Sequence, residues 1–314
     1  MLKIGHISDL HVFDLKSKSP RRFMNKRLIG GANLLFKRSK SHSPEAVKRA
    51  IKHLIEDHEV DHIAISGDLS NLAMREEFQA AKRIIDTIPD ASSCVSVVPG
   101  NHDYYIPDVA KSGLFEEIFA PFMKSDLANY TLSTGYPYCK LLGEDVALFA
   151  LNSAIPSLPM FAIGKVDARE LRAFEALLDD PLVQDRFKVV MLHHPLLPFE
   201  HSRVEYTRRL VNASEVLDVL RRHNVELAIH GHNHYYDHVE VPHLGKPGTL
   251  HICEAGSTSV TRAHDEAFGG KYNIYHIDGK ELVKIETFLF ESHETGFLPW
   301  REHRLIEEIS TASA

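Results

Sequence analysis

Short apolar runs alternate along the chain with segments in which apolar residues recur every three or four positions. Residues 2–8, 61–66 and 94–98 are apolar runs of strand length. The segments 44–55 and 74–85 lie between them and have the spacing of amphipathic helices. This β-α-β-α-β order predicts right-handed crossovers and a largely parallel sheet.

The second half of the chain predicts further strands. Residues 138–142 and 146–151 have the pattern of a hairpin. Apolar runs at 187–192 and 225–229 predict two more strands, and a series of strands with glycine turns follows at 235–241, 249–254, 271–277 and 281–290. No internal repeat or clear linker interrupts the pattern. We therefore predict an α/β (α+β) fold with one two-layered domain at 1–290 and a C-terminal tail at 291–314.

Two predicted helices have recognisable first turns. Ser43 is a favourable N-cap, Pro44 suits the first helical position, and Glu45 places an acid in the first turn. Asp167 and Glu170 have the spacing of a capping box ahead of an apolar helical stripe. Both patterns predict where a helix begins.

The composition is that of an ordinary globular protein. Of the 314 residues, 44% are hydrophobic and 25% are charged, and this length permits a full buried core. The three cysteines are far apart, which argues against a disulfide framework or a zinc knuckle and favours a reducing compartment. No apolar segment has the length of a signal peptide or a membrane span. We expect a cytoplasmic protein.

A basic insert at about residues 15–41 differs from the rest of the chain. It contributes nine Lys and Arg side chains and no acid, although the net charge of the chain is −7. A helical apolar stripe runs through it, at Leu28, Ile29, Ala32, Leu35 and Phe36. One interpretation is a surface helix packed on the domain. The other is a lid that contacts phosphates or an anionic membrane, which would place the protein peripherally at the inner membrane surface.

Polar residues able to bind a metal ion or transfer a proton follow directly after five predicted strands. They are Asp9 and His11, Asp68, Asn101 and His102, His193, and His232 and His234. Each set alone is typical of a polar loop, but all five stand where α/β sheets bind their ligands. Carboxylates, imidazoles and an amide oxygen are ligands for Mn, Fe or Zn. The set suits two divalent metal ions that share one carboxylate.

The order of these clusters resembles the calcineurin-like metallophosphoesterases. That superfamily has the blocks D-x-H, G-D, G-N-H-D/E, H and G-H-x-H. The chain has all five, as Asp9-Leu10-His11, Gly67-Asp68, Gly100-Asn101-His102-Asp103, His193 and Gly231-His232-Asn233-His234. The family's ligand histidine usually stands two residues before a proline, which favours His193 over His194. The resemblance implies a two-sheet β-sandwich flanked by helices.

The resemblance also implies a metal-dependent phosphoric ester hydrolase with a binuclear centre. One metal would be bound by Asp9, His11 and His234, and the other by Asn101, His193 and His232, with Asp68 bridging. A hydroxide shared by the two ions would attack the phosphorus in line. His102 would protonate the leaving group, and Asp103 would orient its ring. His194 and His230 would lie behind the ligands.

The resemblance leaves the substrate open, because members of the family cleave phosphoproteins, cyclic nucleotides, nucleic acids and nucleotide-linked lipids. The chain looks like the compact bacterial phosphodiesterase branch, which implies hydrolysis of a phosphodiester. The negative charge outside the insert argues against an extensive nucleic-acid surface.

Two alternatives remain. The basic insert is reminiscent of the UDP-diacylglucosamine pyrophosphohydrolases of lipid A synthesis, which act on a UDP-linked lipid at a membrane. The chain could instead be a metal-binding scaffold without turnover. Such relatives tend to lose a ligand or the histidine of the N-H-D block, and this chain retains all of them. The patterns do not predict an oligomeric state.

Overall fold

The computed structural model describes residues 1–13, 41–157, 161–198, 205–263 and 265–305. Nearly all of the basic insert predicted at 15–41, with its helical stripe, therefore lies outside the described residues. The end of the predicted tail, from residue 306 onward, lies outside them as well.

Twelve strands in the described residues form two six-stranded sheets. They are β1 Leu2–Ile7, β2 His62–Ile65, β3 Val95–Val97, β4 Tyr138–Leu142, β5 Val146–Ala150, β6 Phe187–Met191, β7 Leu227–His230, β8 Tyr236–Pro242, β9 Thr249–Ala255, β10 Lys271–Asp278, β11 Glu281–Ser292 and β12 Gly296–Arg304. The first sheet has the order β12-β11-β10-β1-β2-β3, and the second has the order β4-β5-β6-β7-β9-β8.

Parallel pairing occupies one side of the first sheet and the centre of the second. Strands β1, β2 and β3 are parallel neighbours in one sheet, and β5, β6, β7 and β9 are parallel neighbours in the other. The predicted hairpin of β4 and β5 is antiparallel, as are the pairs β8–β9, β10–β11 and β11–β12. The predicted α/β sandwich flanked by helices is confirmed. Because parallel strands end at one edge, the loops that follow them are brought together there.

Helices cover the outer faces of the two sheets. The α-helices in the described residues are Pro44–Lys52, Arg75–Ile85, Ala91–Cys94, Pro107–Ser112, Leu114–Phe119, Ala168–Leu178, Pro181–Gln184 and Ala213–Arg222. The first continues into a π-helical turn, His53–Asp57, and short 3₁₀ turns lie at Ala120–Phe122, Ala128–Tyr130, Glu205–Thr207 and Glu266–Phe268. None of the helices in these described segments is long and apolar enough to cross a membrane.

The first turns of the two predicted helices differ in detail from the prediction. Pro44 is the first helical residue, but the Ser43 side chain makes no capping hydrogen bond. Asp167 does cap its helix, since its carboxylate accepts from the backbone N–H of Arg169 at 2.8 Å. Glu170 does not close the capping box. Its buried carboxylate accepts instead from the backbone N–H of Asn152 at 2.6 Å.

The apolar strands of the second sheet are buried on both faces, which explains why they are continuous apolar runs. In β6, Val189 and Met191 join the core between the sheets. Val190 and the following Leu192 join a second core that includes Phe174 of the helix Ala168–Leu178.

Part of the segment set apart as a tail pairs with the first sheet. Strand β11 continues past residue 290 to Ser292, and β12 pairs with it along its length. The Trp300 ring contacts the Tyr236 ring of the second sheet, with centroids 5.4 Å apart. This strand therefore reaches across to the other layer of the sandwich.

Candidate metal centre

The predicted ligands stand on strained turns directly after the strands. Five of the nine non-glycine residues with a positive φ in the described residues are predicted ligands, namely Asp9 (52°), His11 (45°), Asp68 (53°), His232 (85°) and His234 (58°). Such conformations each cost on the order of 1–3 kcal/mol and persist where the surrounding structure enforces them. The strain is thus concentrated where the clusters meet.

Two glycines of the motifs make this close approach possible. Gly67 has a φ of +106°, and a Cβ there would lie 2.6 Å from His193 Nδ1. A Cβ at Gly231 would overlap the Asp9 carboxylate. The glycines that precede Asp68 and His232 are therefore required by packing, and Gly67 is required by its backbone conformation as well.

The first group of donors comes from the loops after β1 and β7. Asp9 Oδ1 lies 3.1 Å from His234 Nε2, and His11 Nε2 lies 3.0 Å from the same nitrogen. His11 Nε2 is also 3.8 Å from Asp9 Oδ1. The three side chains therefore converge on one point, as the prediction for the first metal requires.

The second group comes from the loops after β3, β6 and β7. His193 Nε2 lies 3.3 Å from Asn101 Oδ1 and 3.2 Å from His232 Nδ1. The His232 Nε2 atom is buried and has no hydrogen-bond partner among the residues that the structure describes. These three side chains are the set predicted for the second metal.

Asp68 stands between the two groups. Its Oδ2 atom lies 3.8 Å from His11 Nε2, and its Oδ1 atom lies 3.6 Å from His193 Nε2. Oδ1 also accepts a hydrogen bond from the backbone N–H of His102 at 2.7 Å. One carboxylate oxygen thus faces each group, which is the arrangement expected of a bridging ligand.

The protonation of His193 shows that the second group suits a cation. Its Nδ1 lies 2.7 Å from the Ser66 carbonyl oxygen. Because a carbonyl oxygen only accepts, Nδ1 carries the proton and Nε2 carries a lone pair. Burial lowers the pKa of His193, which favours this neutral ring. The lone pair nevertheless faces the oxygens of Asn101 and Asp68, and a divalent metal ion would remove that repulsion.

A buried polar network supports Asp9. Its Oδ2 atom accepts from Ser8 Oγ at 2.7 Å and from the backbone N–H of His232 at 3.0 Å. Burial alone would raise the pKa of Asp9, but the nearby His234 and the His232 N–H outweigh it, and the pKa is lowered. Behind Ser8, the hydroxyl of Ser66 donates to Ser8 Oγ at 2.8 Å. The carboxylate is therefore held ionised in a fully buried position.

The two predicted catalytic residues have different surroundings. A ring nitrogen of His102 lies within 4.8 Å of donor atoms of His11 and Asp68. Its Nδ1 lies 2.8 Å from the Asn71 carbonyl oxygen, and its ring stacks on Tyr105 at a centroid distance of 5.5 Å. Asn71 and Tyr105 therefore orient the His102 ring.

The Asp103 carboxylate, predicted to orient the His102 ring, accepts its hydrogen bonds from backbone groups and from Ser70. These donors are the backbone N–H groups of Leu69, Ser70 and Gly100 at 2.8–3.0 Å, and Ser70 Oγ at 2.8 Å. Burial raises its pKa to about 6 although these donors oppose the shift. Asp103 thus joins the loops after β2 and β3, which carry Asp68 and Asn101.

His194 and His230 are buried next to residues predicted to bind metal. His194 Nδ1 lies 2.9 Å from Ser153 Oγ, and its ring centre is 4.6 Å from that of His232. His230 is buried, and its Nδ1 atom lies 3.8 Å from Glu254 Oε2. The Glu254 carboxylate also accepts a hydrogen bond from the backbone N–H of Asn233 at 2.8 Å. Both histidines support the loops that carry the ligands.

Several residues at the site were not found from the sequence. Ser257 Oγ and Ser259 Oγ each donate to the Asp9 carbonyl oxygen at 2.8 Å. His42 lies with its Nδ1 2.7 Å from Ser259 Oγ, and its ring centre is 4.8 Å from that of His11. Gly-Ser-Thr-Ser directly follows β9, so the rule that identified the other clusters would also have indicated this loop.

The clusters open into a cleft of about 660 Å³. Predicted ligands and His102 form its floor, and two arginines, Arg208 and Arg262, line its walls together with His42 and Asn233. Both guanidinium groups are on exposed residues. The cleft therefore combines a buried donor set with positive charge at its mouth, which suits an anionic substrate.

The family assignment follows from comparison with known proteins. The family model for calcineurin-like phosphoesterases matches residues 2–236. The chain belongs to this family, and the predicted resemblance is confirmed. A search of curated protein sequences found no match.

Solved structures of low sequence identity share the fold. A dimetal phosphatase from Danio rerio has a TM-score of 0.59 at 15% identity, over 96% of this chain and 98% of that chain. A purple acid phosphatase from seeds of yellow lupin (Lupinus luteus) has a TM-score of 0.57 at 11% identity, over 96% of this chain and 53% of that chain. Family and site together place the protein among metal-dependent phosphoester hydrolases.

Replacing the bridging carboxylate tests the two-metal arrangement. We expect Asp68→Asn to bind less than two equivalents of metal, because the amide has no negative charge and only one oxygen, and it can no longer offer one oxygen to each group. Activity should fall by at least about 100-fold, since even residues behind metal ligands contribute 10- to 100-fold. Metal content and turnover of the purified variant are the measurements.

Asp265→Asn is the matched control, because Asp265 is an exposed carboxylate that lines the same cleft. It should retain the wild-type metal content. Two tightly bound equivalents in Asp68→Asn would show that Asp68 does not bridge.

Proposed function

We propose that the protein is a dinuclear-metal phosphodiesterase and that its substrate has an apolar group on the phosphate. The proposal rests on one observation above all, the position of Asp68 between two groups of donor atoms at the floor of a single cleft. Two divalent metal ions such as Mn, Fe or Zn would be held by the seven predicted ligands, Asp9, His11, Asp68, Asn101, His193, His232 and His234. When bound, these ions would lower the pKa of a water molecule and neutralise charge on the phosphoryl oxygens.

The arginines at the walls of the cleft suit the substrate's phosphate. Arg208 and Arg262 can each offer planar N–H donors to phosphate oxygens. The amide of Asn233 is held by Glu254, since Asn233 Nδ2 donates to Glu254 Oε2 at 3.2 Å. These residues would orient the phosphate over the metal-binding floor.

His102 is placed to transfer a proton. Its Nδ1 lies 2.8 Å from the Asn71 carbonyl oxygen, and a ring nitrogen lies within 4.8 Å of donor atoms of the predicted ligands His11 and Asp68. The stack on Tyr105 restricts rotation of the ring. A protonated His102 would donate a proton to the leaving oxygen, while the backbone of His102 remains bound to Asp68.

An apolar groove next to the cleft supports a diester over a monoester. The groove has a volume of about 290 Å³ and shares Arg208, Asn233 and Phe268 with the cleft. Its remaining wall is mostly apolar and includes Pro195, Leu196, Leu197, Pro198, Leu210 and Val211. A second substituent on the phosphate would have room there, and apolar contact would favour an alkyl, acyl or aromatic group.

The proton-transfer role predicts a dependence on the leaving group. His102→Ala should retain its metal but slow turnover by about 10²- to 10⁴-fold for an unactivated ester. The decrease in turnover rate should be much smaller for a p-nitrophenyl ester, because p-nitrophenolate leaves without a proton. Steady-state rates with both esters and metal content are the measurements. Equal slowing of both esters would contradict the role.

The groove predicts a dependence on the second substituent. Phe268→Ala should raise KM for a long-chain alkyl p-nitrophenyl phosphate about fivefold, as expected from losing about 1 kcal/mol of apolar contact. KM for methyl p-nitrophenyl phosphate, which has the same leaving group, should not change. Leu298→Ala is the control, because Leu298 is a similarly exposed apolar residue on β12. A rise of the same size for both esters would show that the groove does not bind the substituent.

The groove also favours the second candidate, a UDP-linked lipid pyrophosphohydrolase that meets its substrate at a membrane. In this case the basic insert would contact anionic lipid. We expect salt-sensitive co-sedimentation with vesicles rich in anionic lipid, since each Lys or Arg near such a surface contributes about 1 kcal/mol at most. Changing Arg21, Arg22, Lys26 and Arg27 to Gln should weaken the binding of the protein to these vesicles.

The control for this experiment removes the same charge elsewhere, at the exposed Lys111, Arg172, Lys246 and Lys280. It should bind vesicles like the wild type. No binding at low salt would leave small soluble diesters as the substrates.

A turnover screen with added Mn distinguishes the functions. It compares bis-p-nitrophenyl phosphate, the monoester, a cyclic nucleotide and a UDP-linked lipid. Faster turnover of a diester than of the monoester supports the proposal. Full metal content without turnover of any of them would favour the metal-binding scaffold.

A further inference from the structure

A second cluster of metal-binding side chains lies outside the cleft, on strands β8 and β9. His238 and Glu240 are two positions apart on β8, so their side chains point to the same face. His251 on β9 pairs directly with Glu240 in the register of the two strands. None of the three lines the cleft.

The donor atoms of this cluster are close enough for one metal ion. His238 Nε2 lies 3.1 Å from His251 Nδ1, and His251 Nδ1 lies 3.9 Å from Glu240 Oε1. One donor atom from each residue lies within 4.8 Å of the others. A tetrahedral ion with bonds of about 2.1 Å holds its donors about 3.4 Å apart. The two imidazole nitrogens are within a few tenths of an ångström of that spacing, and the Glu240 side chain, 56% exposed, has room to adjust.

A third histidine lies beside the cluster. His303 belongs to β12 of the first sheet, and its ring centre is 5.2 Å from that of His238. Its Nε2 atom is buried and has no hydrogen-bond partner within the described ranges. Strands β8 and β12 are edge strands of the two sheets, so the cluster lies where the open edges of the sandwich meet.

We propose that His238, Glu240 and His251 bind a divalent transition metal ion such as zinc. Two imidazoles and one carboxylate form a donor set that suits zinc, and no thiolate is needed. The ion would join β8 to β9, next to the His303 ring of β12. It would thereby stabilise the edge of the second sheet, a role separate from the hydrolytic centre.

Metal content and thermal unfolding test the site. Purified protein equilibrated with Zn²⁺ should hold one equivalent more than His251→Gln or Glu240→Gln treated in the same way. Zn²⁺ should also raise the Tm of the wild type more than that of either variant, because a ligand of the folded state stabilises it. Phosphoester turnover of both variants should stay at the wild-type level, since the cluster lies outside the cleft.

The choice of variants keeps the result interpretable. Glu240 is exposed, so Glu240→Gln should fold even if His251→Gln does not. His293→Gln is the control, because His293 is an exposed histidine away from the cluster, and it should hold as much metal as the wild type. Equal metal content and equal Tm shifts in wild type and Glu240→Gln would overturn the proposal. The short distance between His238 and His251 would then be explained by a hydrogen bond between the two rings.

Discussion

The arrangement of the site depends on the hydrogen bonds that hold the buried carboxylate of Asp9 in its ionised form. A charge in a fully buried position is costly unless hydrogen bonds and opposite partial charges surround it. Ser8 Oγ and the backbone N–H of His232 donate to its Oδ2 atom. Behind Ser8, the Ser66 hydroxyl lies 2.8 Å from His6 Nε2. Burial lowers the pKa of His6 to about 3, so a neutral ring donates toward Ser66 and the whole network points at the carboxylate.

The same crowding explains the strained turns. Donors from strands far apart in sequence can approach within about 3–4 Å only if the loops turn sharply where the strands end, with φ positive at Asp68 and His232. Glycines remove the side chains that would collide, and Asp103 joins the loops after β2 and β3. A metal centre built this way needs rigid loops on a fully packed sandwich, and both cores supply that support.

Local patterns predicted most of the strands, because those with both faces covered appear as continuous apolar runs. The same patterns missed β12, whose exposed positions include Leu298 and Arg301. Its segment contains Pro299 and charged residues, and it becomes a strand by pairing with β11. Glu170 is a second case in which a local pattern did not predict the contact. Its spacing from Asp167 predicted a capping box, but its carboxylate accepts from the backbone N–H of Asn152.

The sequence by itself determined which side chains form the candidate metal centre, because each set directly follows an apolar run and strand ends meet at one edge of a parallel sheet. It also determined the family, through the order of five motifs. Only the tertiary structure decided what orients His102, what holds Asp103, and that His42, Ser257 and Ser259 belong to the site. Those contacts join residues up to 250 positions apart. Local spacing has no information on such pairs, since they arise from how two sheets pack.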